Sequence, residues 1–210
     1  MTAPQVTVRR LPKREVLSAS KLLAAAFIDD PLCLAVSPKA ESSRRFTLRC
    51  FNLAELVIAF GRRAYVYGAY TDGRLSGVVI AYPNGTDFPW WSWLVRLPAA
   101  VPSLLLAGPR TMMRGAKILN DIEDMRPTEP YVHFWTVGAA SDTRGIGVML
   151  LRKVLTEHVD PEHRNAFLEA AGPHLLELYG LLGFEEQQEY VLPTGEALIT
   201  MWRPGVKDCL

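Results

Sequence analysis

Apolar and polar positions alternate along Gln5 to Arg10 (QVTVRR), which predicts a short strand that Pro12 ends. From Arg14 to Phe27 the spacing changes to helical, with Val16, Leu22, Leu23, Ala26 and Phe27 recurring on one side, and Asp29-Asp30-Pro31 predicts its end because the residue before proline leaves the helical region. A second amphipathic helix is expected from Glu41 to Phe60. Ala64 to Tyr70 and Leu75 to Tyr82 are rich in strand formers, and Thr71-Asp72-Gly73-Arg74 between them is a hairpin turn. Regularity then breaks between residues 84 and 128, where Pro89, Trp90, Trp91, Trp93, Pro98, Pro102 and Pro109 stand in a Leu-rich run; this predicts a helical insert. Its stretch from Trp90 to Ala107 nears the length of a membrane span, but Arg96 and two internal prolines argue against one. The insert's aromatics either pack on the sheet or on a partner subunit, or, like Trp90, wall a substrate pocket.

Beyond the insert, Tyr131 to Ala139 reads as a strand, Gly147 to His158 as a helix, Ala166 to Glu169 as a strand and Leu175 to Leu182 as a helix. Phe184 to Leu192 and Glu196 to Trp202 close the chain as an antiparallel pair around Pro193-Thr194-Gly195. Alternating β and α units predict an α/β sheet with helices on its faces. At 210 residues the chain suits one domain spanning 1–210.

Composition narrows the chemistry. Lys and Arg number 23 against 22 Asp and Glu, with no like-charge run that would track a nucleic acid. Cys33, Cys50 and Cys209 are odd in number and far apart, which fits neither a disulfide framework nor a zinc site and points to a reducing compartment without a metal. The beginning MTAPQVTVRR lacks the apolar core of a secretory signal, so a cytoplasmic protein is expected.

The most informative stretch is Ser141-Asp142-Thr143-Arg144-Gly145-Ile146-Gly147, between a strand and a helix with apolar Leu150, Leu151, Val154 and Leu155. A glycine-rich turn feeding a helix start exposes backbone N–H groups at the positive end of the dipole, and Arg144 adds a charged donor; together they predict an anion site. Further on, the chain reads Phe167-Leu168-Glu169-Ala170-Ala171-Gly172-Pro173 and then Tyr179-Gly180-Leu181-Leu182-Gly183-Phe184.

With these paired motifs the sequence resembles the GNAT acyl-CoA N-acyltransferase superfamily, whose acyl-CoA loop is Gln or Arg, two residues, Gly, any residue, then Gly or Ala, and whose next strand and helix end in Tyr, three residues, Gly-Phe. Within it, AAFIDDP (from Ala25 to Pro31), Thr136-Val137-Gly138 and LEAAGP resemble the puromycin N-acetyltransferase group. The resemblance implies a mixed, mostly antiparallel sheet of about seven strands flanked by helices, with the helical insert after the third strand. It implies acetyl-CoA as co-substrate and transfer of the acetyl group to the primary amine of a small molecule, with no nucleic acid, membrane or metal involved and a homodimer as one arrangement of subunits. Val137, Gly138 and Ala139 match the strand that pairs with the pantetheine arm, and Arg144, Gly145, Ile146, Gly147 and Val148 match the pyrophosphate loop. Tyr179 matches the general acid. For the base the candidates are Glu129 and His133, with Asp29 or Asp30 in the loop bordering the acceptor pocket and Glu169 better suited to packing or hydrogen bonding, and Phe27, Asp30 and Trp90 are expected at the acceptor pocket.

Two registers of the loop are open. With Leu150 and Leu151 inward, Gly145 and Gly147 are the motif glycines and Asp142 stands where Gln or Arg is usual. With Arg144 as the motif residue, Met149 replaces a small residue and Arg152 and Lys153 turn inward, which would bury charge. The first is preferred. Asp142, and Leu175 where many relatives carry Asn, leave a non-catalytic acyl-CoA-binding protein as the alternative.

Overall fold

A computed structural model of the chain describes residues 5–86, 90–172 and 175–205. Pro89, Pro173 and Cys209 lie outside them, as does the chain's start before Gln5. Seven strands form one sheet in the order β1-β2-β3-β4-β5-β7-β6. They are β1 (Val6–Arg10), β2 (Tyr65–Thr71), β3 (Arg74–Thr86), β4 (Tyr131–Ala139), β5 (Asn165–Ala171), β6 (Glu185–Val191) and β7 (Ala197–Arg203). All neighbours are antiparallel except β4 and β5.

Helices cover both faces. On one lie α1 (Val16–Ala26) and α3 (Glu41–Gly61), whose Leu23, Leu56 and Ala59 pack on Val66, Val78, Ile80 and Tyr82. On the other lies α5 (Ile146–Val154), continued by a wider turn from Leu155 to Val159, which buries Leu150, Leu151 and Val154 against Tyr67, Val79 and Phe134. The short α6 (Leu176–Gly180) joins this second core through Tyr179.

Two elements depart from expectation. Pro31 ends α1 but also opens a short α2 (Pro31–Val36), because proline suits the first helical position and the Asp30 carboxylate accepts from the Cys33 N–H at 3.0 Å to cap it. The insert begins later than expected, since β3 runs to Thr86, and it is largely one element, α4 (Trp91–Glu123). Pro109 is accommodated because α4 breaks at Gly108 (φ 78°, ψ 165°), a backbone that glycine adopts without strain, so two helical segments follow one another, with Pro98 and Pro102 inside the first. The first lies along α3, with Arg96 donating to Glu55 at 2.8 Å; the second packs Ile118 and Ile122 with Ala35 of α2 and Leu198 of β7. Among the described residues no helix is long and apolar enough to cross a membrane.

Candidate active site

Parallel pairing of β4 with β5 runs only from Tyr131↔Asn165 to Phe134↔Leu168. Beyond that point each strand stays with its other neighbour, β4 with β3 up to Gly77↔Ala139 and β5 with β7 up to Ala171↔Leu198, so the two diverge. A bulge assists: Ile80 faces Thr136 and Ala81 faces Phe134, which leaves Trp135 as an extra residue at the point of parting. On the side facing β5, no strand among the described residues pairs with Thr136 to Ala139, and their backbone groups face the gap, where an extended amide-bearing chain could pair.

The loop after β4 turns at once. Ala140 donates to the Ser76 carbonyl at 2.8 Å, and the Thr143 N–H and hydroxyl both donate to the Ala140 carbonyl. Gly145 then caps α5 at φ 77°, a left-handed conformation that a side chain would strain. The first bond back along α5 is Met149 N–H to the Gly145 carbonyl, so the N–H groups of Ile146, Gly147 and Val148 lie in the turn whose donors have no helical partner. At Gly147 a Cβ would meet nothing nearer than Val137 Cγ1 at 3.7 Å. Protein packing does not demand glycine there, and the space it leaves borders β4. Ile146, Leu150 and Leu151 are buried while Arg152 is exposed and Lys153 pairs with Glu157 at the surface, which is the preferred register. Asp142 and Arg144 are both exposed.

Gly138 also meets a demand of packing. A Cβ there would come within 2.7 Å of Leu23 and 3.3 Å of Phe27, so its bareness lets the end of α1 lie against β4. That contact brings Phe27, and the Asp30 that caps α2, to the cleft. Burial pushes the Asp30 carboxyl above its ordinary range. It also pushes the Cys33 thiol up, with the Asp30 charge adding, so Cys33 is no ready nucleophile.

Tyr179 enters from the α5 face. Its ring meets Phe184 edge-on at 6.3 Å, and the Phe184 N–H donates to the Tyr179 carbonyl at 3.1 Å across the Gly183 turn (φ 84°). That is the local reason for tyrosine and Gly-Phe at this spacing. Burial, with the nearby Asp30 charge, pushes its phenol up to about 12, so the hydroxyl is a proton donor throughout the neutral range.

On the opposite face, His133 is wholly buried one residue below the parting, with Tyr131, Trp135 and Phe167 ringed around it at 5.3–5.8 Å. Its Nε2 lies 2.6 Å from Glu169 Oε2, and Arg126 Nε lies 3.4 Å from Glu169 Oε1. Burial would raise the Glu169 carboxyl, but His133 and the Arg126 guanidinium together outweigh it and hold it below its ordinary value. Nε2 being engaged by the carboxylate, Nδ1 is left with no hydrogen-bond partner among the described residues.

Around the parting of the strands Phe27 lies against Gly138, Gly147 borders Val137 and the Asp30 charge reaches Tyr179, with Ala139 at the end of β4, Ile146 and Val148 in the first turn of α5, and His133 wholly buried beneath. Glu129 stands apart, exposed before β4 at the end away from the parting. Trp90 is 76 % exposed at the head of α4, beside Trp91, whose ring lies on Gly61 of α3. Glu169 serves in hydrogen bonding as expected, but its partners Arg126 and His133 were not legible from the sequence, since only the strand register sets Glu169 beside His133.

No protein-family model matches the chain, and no curated protein sequence does. Solved structures match it throughout. A Corynebacterium glutamicum protein described as histone acetyltransferase HPA2 and related acetyltransferase superposes with a TM-score of 0.72 at 20 % identity, covering 100 % of both chains. The Drosophila melanogaster polyamine N-acetyltransferase that forms N-acetylagmatine gives 0.56 at 17 % identity, over 95 % of this chain and 100 % of the other. A mosquito arylalkylamine N-acetyltransferase-like protein gives 0.56 at 15 % identity with the same coverage. The fold is that of the GNAT acetyltransferases.

Proposed function

We propose that the protein is an acetyl-CoA-dependent N-acetyltransferase that acetylates the primary amine of a small molecule by direct attack on the thioester. The observation that carries this reading is the parting of β4 from β5 beside the open α5 N-terminus, with Tyr179 and the His133–Glu169 pair on opposite faces of the gap. The open edge of Val137 to Ala139 suits the amide groups of a pantetheine arm. Gly145, Ile146, Gly147 and Val148 suit its pyrophosphate, with Arg144 as a solvent-side cation.

Acetyl-CoA supplies the activated acyl group; the chain supplies orientation and proton handling. Phe27 and Asp30 border the acceptor side, where the Asp30 carboxylate holds the incoming cation. An ammonium must lose a proton before it can attack, and the His133–Glu169 pair just below the parting is the base candidate, Glu169 holding the ring in place. Tyr179 O–H donates to the departing thiolate sulfur. The thiol of Cys33, pushed up by burial, favours direct attack over an acyl-cysteine route.

Small amines are the acceptor class supported by the polyamine and arylalkylamine neighbours and by the likeness to the puromycin N-acetyltransferase group. Titration calorimetry with acetyl-CoA, followed by thiol release with diamines, arylalkylamines, puromycin and lysine peptides, tests the reading. Binding with release for one amine class is expected. Binding without release for any acceptor would favour the non-catalytic alternative, and absence of binding would overturn both.

A further inference from the structure

The first segment of α4 carries its apolar residues on the wrong side for a helix packed on α3. Ser92, Arg96 and Ala99 face inward; Ser92 and Ala99 are buried, and Arg96 is held on Glu55. The outward positions are Trp90, Leu94, Leu97, Val101, Leu104 and Leu105, between 46 % and 77 % exposed. Trp90, Leu94, Leu97, Val101 and Leu104 recur at steps of four, three, four and three, the heptad seam by which one helix receives another. The seam is about 22 Å long at the helical rise. Its side chains form a contiguous apolar face, unlike the apolar residues scattered singly over an ordinary monomer surface.

We infer that this stripe is the contact by which a second copy of the chain docks, α4 against α4 about a two-fold axis. Two features favour a like copy over a bilayer. Positions flanking the seam, Trp91, Pro98, Ala100 and Ala107, carry no charge, so two identical faces meet without repulsion. The single cation between residues 90 and 107 is Arg96, engaged inward with Glu55, so the stripe lacks the Lys and Arg rim by which a helix settles on lipid headgroups. The pairing is independent of the acetyl-transfer reading.

Light scattering on the full chain at micromolar concentration should give twice the chain mass. Leu97→Glu, at a site 59 % exposed and so solvated in a free monomer, should weaken the pair about 100-fold or more, and Leu105→Ser should weaken it less. Leu17→Glu, on an exposed apolar position of α1 off the stripe, should leave it intact, with circular dichroism confirming that all three variants fold. A monomeric parent chain, a dimer indifferent to both stripe substitutions, or equal loss with Leu17→Glu would overturn the proposal. A monomer that sediments with phosphatidylcholine vesicles would assign the face to a bilayer and overturn it likewise.

Discussion

His133 and Glu169 face each other at 2.6 Å across the one parallel strand pair of the sheet, immediately below the point where those strands separate. With Nε2 engaged by the carboxylate, the other ring nitrogen, Nδ1, is buried without a hydrogen-bond partner among the described residues.

Glu169→Gln keeps the shape and removes the charge. The expected outcome is a fall in kcat of about 100-fold with the KM for acetyl-CoA unchanged, read by steady-state thiol release. The stability consequence follows from the same pair. Because the folded carboxyl sits below its ordinary value, its contribution is present above about pH 4.3 and is lost as the pH falls through the folded value. Urea unfolding should therefore separate parent from variant at pH 7, by a margin that shrinks as the pH falls below about 4.3. An undiminished margin at the lower pH would show that the carboxylate charge is not what matters.

Tyr179→Phe removes one hydroxyl from a ring already packed against Phe184. Stability should change by no more than about 1 kcal/mol, while kcat drops about 10- to 1,000-fold. The phenol, raised to about 12, keeps its proton far above neutrality, so the parent enzyme should show no loss of activity from Tyr179 below about pH 10. Full activity in the variant would remove Tyr179 from the proton path.

Legibility in the sequence followed how local each signal is. β4 is found at its expected ends, Tyr131 and Ala139, and α3 within a residue of Glu41 and Phe60, because hydrophobic period and flanking turns are written in adjacent residues. The loop register was readable too, since burying Arg152 would have cost more than exposing Met149. α2 was not, because Pro31 signals both an end and a beginning and only the Asp30 cap decides. β3 ran past its expected end at Tyr82 to Thr86 through Pro83-Asn84-Gly85, residues whose composition signals a turn rather than a strand. His133 and Glu169 stand thirty-six positions apart, and no pattern in either neighbourhood declares that β4 and β5 lie side by side.

Gly147 separates the demands of packing from those of the ligand. Gly147→Ala is expected to bind acetyl-CoA almost as well as the parent, an alanine being what the resembled loop accepts at this place. Gly147→Val puts a branched side chain in the space beside Val137. Its thermal stability should stay within about 1 kcal/mol of the parent, while calorimetric affinity for acetyl-CoA falls about tenfold or more. Unchanged affinity in the valine variant would place the pyrophosphate elsewhere.

Glu55 and Arg96 join the insert to the body of the protein. Glu55 is 1 % exposed and bound to Arg96 at 2.8 Å. Burial nonetheless wins over Arg96, and the folded carboxyl is raised. A raised carboxyl favours folding below its unfolded value of about 4.3 and loses that contribution as the pH rises through the folded value. Arg96→Met would leave the carboxylate buried without its main counter-charge, which should destabilise the protein by about 3 kcal/mol at pH 7.5. At pH 5 the carboxyl is nearer its neutral form and the deficit should shrink. Adding Glu55→Leu should recover most of the loss, since an apolar pair of similar size needs no counter-charge. Urea unfolding of the single and double variants at the two pH values checks both statements. A deficit equal at both pH values would mean that Arg96 acts through packing of its stem on α3 rather than through its charge.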